Sequence, residues 1–209
     1  MHRFLSPIVV VVALSACSSV PSSEEPVRDA SLRNLSSADS AAVWISALRG
    51  TIAHALPDFD VSRGQIWTPS AAMGETPRPN DGSILPFSPQ VLRTLQATLP
   101  NLEFVENLFE NPSAIFDELF ECPEGARVLM PTYGCPLKDE GIVVFVGLLR
   151  EGGRGEVQTK ISVVTSDDLG EDRPPARRWL TSQSIFTVRM SRAPSGKWNV
   201  VEVTLYAIT

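Results

Sequence analysis

The sequence predicts an α+β domain, an antiparallel sheet meander in the C-terminal half packed against N-terminal helices. Two observations carry this. In Ser40 to Leu56, in Leu92 to Leu99 and in Ile115 to Phe120 apolar residues recur at helical spacing, whereas from Arg127 onward they alternate, or run in short blocks bounded by Gly, Pro and Ser, as strands do. Composition adds a third. A chain of 209 residues with 43% hydrophobic, 20% charged and 7% aromatic side chains can bury a core and is too poor in charge to be wholly disordered.

Ser36, with Asp39 three residues on, reads as an N-cap that introduces a helix from Ser40 to Leu56. Its Trp44, Leu48, Ile52, Ala55 and Leu56 share one side, Ser46, Gly50 and His54 lie elsewhere, and Pro57 ends it. Pro57 to Phe87 is rich in Pro and Gly and reads as a long irregular crossing with one strand around Gln65 to Thr68. Ser88-Pro89 pairs an N-cap with a first-turn proline, starting a helix whose Leu92, Leu95 and Leu99 face inward. Leu102 to Glu106 reads as a short edge strand. Asn111-Pro112 opens a third helix with an Ile115, Phe116, Leu119 and Phe120 stripe. Strands follow over Arg127 to Thr132, Gly141 to Arg150, Glu156 to Ser166, Ser182 to Arg192 and Lys197 to Thr209. Gly141 to Leu149 is apolar on both sides and belongs in the centre of the sheet. Gln158, Lys160 and Ser162 give the next strand one wet face.

The N-terminus sets Arg3 ahead of an apolar run, Leu5 to Ala16, too short to cross a bilayer as a permanent helix and organised like an export signal. It closes with Leu14-Ser15-Ala16-Cys17, which resembles the lipobox of bacterial lipoproteins. The resemblance implies that residues 1–16 are a signal peptide and that Cys17 carries a diacylglycerol and starts the mature chain. Ser18 in place of an aspartate implies the outer membrane, facing the periplasm. A plain secretory signal cleaved after Ala16 and a single-pass anchor are the alternatives. Residues 17–36, rich in Ser, Pro and Glu, read as a lipidated flexible tether, and 37–209 as a single α+β domain.

With Cys17 assigned to lipid, Cys122 and Cys135 are left as an even pair in an oxidising compartment, so they are expected to form a structural disulfide. Two thiols and one distant imidazole are too few for zinc, and no Cys-x-x-Cys redox motif is present. Neither metal nor cofactor is expected.

Phe186-Thr187-Val188-Arg189-Met190 followed by Ser195-Gly196-Lys197-Trp198-Asn199-Val200-Val201 is similar to the last hairpin of the nuclear transport factor 2-like fold. That resemblance implies a helix-backed curved sheet enclosing a conical pocket. The irregular segment from Pro57 to Phe87 departs from the compact helical start of that family.

No catalytic residue is assigned. His54 is the only imidazole after the leader and has no Gly-x-Ser-x-Gly elbow to serve, so it reads as a surface histidine near a helix end. Asp117, Glu118 and Glu121 read as the polar face of a helix, and Asp167, Asp168, Glu171 and Asp172 as a charged loop whose spacing is not that of an EF-hand. Gly152, Gly153 and Gly155 read as a hairpin turn. Arg177, Arg178 and Trp179 are the candidate partner-binding residues, because Arg and Trp are enriched at binding hot spots; the alternative is that Trp179 folds onto the sheet under an arginine. Loss of Arg3 with the leader leaves 17 basic against 24 acidic residues and no basic stripe, so nucleic acid is not an expected partner. The chain is therefore read as a lipid-anchored cell-envelope protein, a non-enzymatic binding or structural accessory module with an envelope protein or polymer as partner. The alternative is a nuclear transport factor 2-like pocket protein that carries a small ligand or acts as a small enzyme.

Overall fold

The structure, a computed structural model, describes residues 35–74, 84–106, 118–122, 133–152 and 155–208. The segments expected to be the signal peptide (1–16), Cys17 with most of the tether, Asp117, the strand over Arg127 to Thr132 and most of the third helix lie outside these residues, as does Gly153.

Helix α1 (Ser37–Ala55) starts where its cap predicts, with the Ser36 hydroxyl accepting the Asp39 amide at 3.0 Å and donating to the Asp39 carboxylate at 3.0 Å. Strand β1 (Ile66–Pro69) follows, then a two-stranded ladder of β2 (Ala71–Met73) and β3 (Ile84–Pro86). Helix α2 (Pro89–Thr98) is capped by Ser88 and leads to β4 (Leu102–Val105). The second half contributes β5 (Tyr133–Gly134), a 3-10 turn at Lys138–Glu140, β6 (Ile142–Val146), β7 (Arg150–Glu151), β8 (Glu156–Asp168), the single helical turn α3 (Pro175–Arg178), β9 (Trp179–Arg192) and β10 (Trp198–Ile208).

The class is α+β, with one main sheet in the order β10-β9-β8-β6-β1-β4. From β6 to β10 every pairing is antiparallel, and β8, β9 and β10 form the expected meander. The sheet also reaches into the first half of the chain. Strand β1 lies parallel to both β6 and β4, and α2 lies in the connection that returns the chain parallel to itself. Strand β5 extends the β10 side of β9, and β7 extends the β6 side of β8.

Side-chain alternation along these strands builds two cores. Ile142, Val144 and Val146 of β6 join Ile161, Val188, Met190 and Trp198 beneath Trp44, Leu48 and Ile52 of α1 and Leu95 of α2. Val143 and Phe145 point to the other face, where Trp67, Met73 and Val164 pack with Leu119, Phe120, Cys135 and Leu137. Strand β6 is thus buried along its whole length, as its unbroken apolar run predicts. Leu119 and Phe120 reach this second core from the segment tied down by the Cys122–Cys135 disulfide, whose Cα atoms lie 4.7 Å apart.

The side of α1 that carries Ser46 and Gly50, away from the Trp44 stripe on the wheel, packs on β10: the Ser46 hydroxyl donates to the Trp198 carbonyl at 3.0 Å, and a Cβ on Gly50 would stand 2.6 Å from a Val200 methyl. One expectation on β8 needs correction. Ser162, expected on the wet face of β8, is fully buried and accepts a hydrogen bond from Gln183 Nε2 at 2.5 Å. Elsewhere that face is polar. Arg189 bridges Glu156 (3.3 Å) and Glu202 (2.9 Å), and the Lys160 ammonium lies 4.0 Å above the Tyr206 ring. The edge strand β10 exposes Val201, Leu205, Tyr206 and Ile208, and bulges between Val200 and Glu202 and between Leu205 and Ala207 interrupt its register.

Candidate functional site

The 169–178 connection is held at its base by one charge pair. Arg178 Nε–H donates to both Asp168 carboxylate oxygens (3.0 and 3.1 Å), and its Nη2 donates to the second at 2.6 Å. The Asp168 carboxylate also accepts the Gly170 amide at 2.9 Å. The Arg178 guanidinium, and then the Gly170 amide, hold the Asp168 carboxyl below the ordinary aspartate range, and the same pairing raises Arg178. The Arg178 guanidinium carbon lies 5.6 Å from the centre of the Trp179 ring. Trp179 is half-buried and Arg177 exposed. Of the three residues singled out as partner-binding, Arg178 and Trp179 form a stacked unit against the sheet, and Arg177 extends into solvent.

Trp179 also borders an open cleft of about 600 Å³. Its walls come from four places: the end of α1 and the residues after it (Leu56, Asp58, Phe59), the segment around Leu137 and Glu140, the end of β8 (Asp167, Asp168), and Trp179 itself. Asp58, Glu140, Asp167 and Asp168 line it, and among the described residues no Lys or Arg does. The C-terminal end of α1 adds partial negative charge on the same side. Glu140 reaches this wall through two consecutive residues in the left-handed region, Asp139 (φ 51°) and Glu140 (φ 48°). Gly141 follows because a Cβ there would strike the Trp67 ring at 2.4 Å. Sequence reading missed Asp58, Phe59, Leu137 and Glu140, which share no motif and meet only when β6 and β8 pair.

A second groove of about 430 Å³ lies at the other end of α1. Leu35, Trp44, Leu85, Phe87, Leu148 and Leu149 supply its apolar walls, and among the described residues no ionisable side chain lines it. Two serines of the α1 N-terminus, Ser37 and Ser40, complete that wall.

His54 is exposed, its ring edge-on to Phe186 with 5.9 Å between centroids, and it has no Ser or Asp hydrogen-bond partner among the described residues. Glu118 and Glu121 are exposed. Among the described residues no three His, Cys, Asp or Glu side chains converge on a metal site. Helices of the described residues are all too short or too polar to cross a membrane. Compared with protein-family models, curated proteins and solved structures, the chain matches none.

Proposed function

We propose that this protein is a lipid-anchored cell-envelope module, tethered through Cys17 at the outer membrane and facing the periplasm, that binds a partner without chemistry of its own. The observation that carries this reading is the cleft at Trp179, where an aromatic ring held by the Arg178–Asp168 pair stands beside an open, carboxylate-lined wall. A preorganised aromatic and arginine pair at the rim of an open surface cleft suits docking of a protein or polymer segment. The Leu14 to Cys17 signal supports the anchor.

A second reading is a pocket protein of the nuclear transport factor 2-like kind, and the size of the two clefts favours it. Against it, the space beneath α1, where a helix-backed sheet would enclose its pocket, is filled by Trp44, Leu48, Ile52, Val144, Ile161 and Val188. The clefts open at the two ends of the helix instead.

Two measurements test the reading. Cys17→Ser moves the protein from the membrane to the soluble fraction; continued membrane association refutes the anchor. A photo-crosslinking residue at position 179 in intact cells captures one recurrent envelope component, and capture unaffected by Asp168→Ala or Arg178→Ala shows that the cleft is not the docking site.

A further inference from the structure

The two clefts differ in chemistry, and that difference runs along α1. At its N-terminal end lies the groove with no ionisable lining residue among the described residues, and beside it the β2–β3 ladder exposes Ile84 and Leu85 at 44% and 61%. At its C-terminal end the carboxylates of Asp58, Glu140 and Asp167 stand without an ion-pair partner among the described residues. The helix from Ser40 to Ala55, fifteen rises of about 1.5 Å, separates these ends by about 22 Å. The described residues are therefore polarised, apolar at one pole and acidic at the other.

The apolar pole is also where the polypeptide from Cys17 enters, since Leu35 is itself a groove residue. Eighteen residues of Ser-, Pro- and Glu-rich chain span about 20 to 25 Å as a coil, so a bilayer holding Cys17 lies within reach of this end. We propose that the groove at the start of α1, with Ile84 and Leu85 at its lip, rests on the surface of the bilayer that anchors the chain and turns the acidic cleft outward. The inference depends on the lipid-anchor reading and adds an orientation to it.

Two independent forces set that orientation. Exposed Leu and Ile side chains gain by entering the interface between headgroups and acyl chains, at about 25 cal/mol per Å² of apolar surface removed from water. A bilayer carrying anionic lipid repels the pole with uncompensated carboxylates, and the repulsion decays within a Debye length of about 8 Å at physiological salt. Among the described residues the other exposed large hydrophobic side chains, Val201, Leu205, Tyr206 and Ile208, lie along the β10 edge and not around the groove.

The test uses the full-length lipidated protein in vesicles of phosphatidylethanolamine and phosphatidylglycerol. With Cys122 and Cys135 joined and Cys17 acylated, Leu85→Cys, Asp167→Cys or Leu205→Cys supplies a single free thiol for a nitroxide. Collision with oxygen, relative to collision with a water-soluble nickel chelate, is expected to be several-fold higher at position 85 than at 167 or 205. Adding Ile84→Glu to the label at 85 is expected to abolish that excess while the protein still pellets with the vesicles. Equal values at 85 and 167 in pelleting, lipidated protein overturn the orientation and leave the anchor standing. Protein that stays in the supernatant, with an N-terminal peptide whose mass lacks lipid, overturns both.

Discussion

At the scale of single residues, Asp168 sets how the cleft answers to acid. Its carboxyl is depressed in the folded protein by Arg178 and the Gly170 amide, so the pair contributes stability above the unfolded aspartate value of about 3.9 and loses it as pH falls through the lowered folded value. The 169–178 connection should then loosen below about pH 4. Amide exchange at Leu169, whose N–H donates to the Arg178 carbonyl at 2.7 Å, reports it: exchange accelerates in acid relative to its intrinsic rate. Asp168→Asn should show the faster exchange already at neutral pH and little further change. Unaltered protection at Leu169 in that variant would show that the pair does not hold the connection. Arg177, Arg178 and Trp179 stand out in the sequence because hot-spot residue types are recognisable locally, and of the three only Trp179 lines the cleft. Asp168 was read only as part of a charged loop, since ten residues separate it from Arg178 and nothing short of the β8–β9 pairing, in which Asp168 faces Trp179, brings them together.

At the scale of elements, the helix caps at Ser36 and Ser88 and the long strands were legible, because hydrogen-bonding side chains and two-residue alternation act over a few positions. Pairing between distant short strands was not. Ile66–Pro69 and Leu102–Val105 are four residues each, and so brief a run names no partner; the parallel match of the first to both β6 and the second is set by the assembled sheet and not by local pattern. Gly50 shows the same limit. On a wheel it is a weak helix residue on the polar side, yet the structure needs it for the approach of Val200. Gly50→Ala gains up to about 1 kcal/mol of helix propensity and incurs about 1 to 3 kcal/mol of overpacking, so a net loss of about 1 kcal/mol is expected in urea unfolding. Val200→Ala in the same chain should make Gly50→Ala neutral or stabilising. A stabilised single variant would mean that the helix and strand are not in close contact.

At the scale of the molecule, the sheet carries a core on each face, and the disulfide governs the second one. Leu119 and Phe120 are buried against Trp67, Met73, Val143 and Phe145, from a segment joined through Cys122 to the fully buried Cys135. Closing a loop with a sequence separation of 13 contributes about 3 kcal/mol in the chain-entropy model. Cys122→Ser with Cys135→Ser should lower unfolding free energy by about that amount and increase binding of a hydrophobic dye, as Phe145 loses its cover. Unchanged stability would show that the cover packs without its staple.

The last strand brings a consequence for crowding. An eleven-residue border with unpaired amides and aliphatic side chains is a template on which further copies would stack, but the two bulges kink it and break the run of matched amides and carbonyls. Concentrated protein should stay monodisperse in light scattering. Deleting Val201 and Tyr206, the extra residues of the bulges, straightens the border and should start growth of fibrillar aggregates from a chain that is otherwise unaltered.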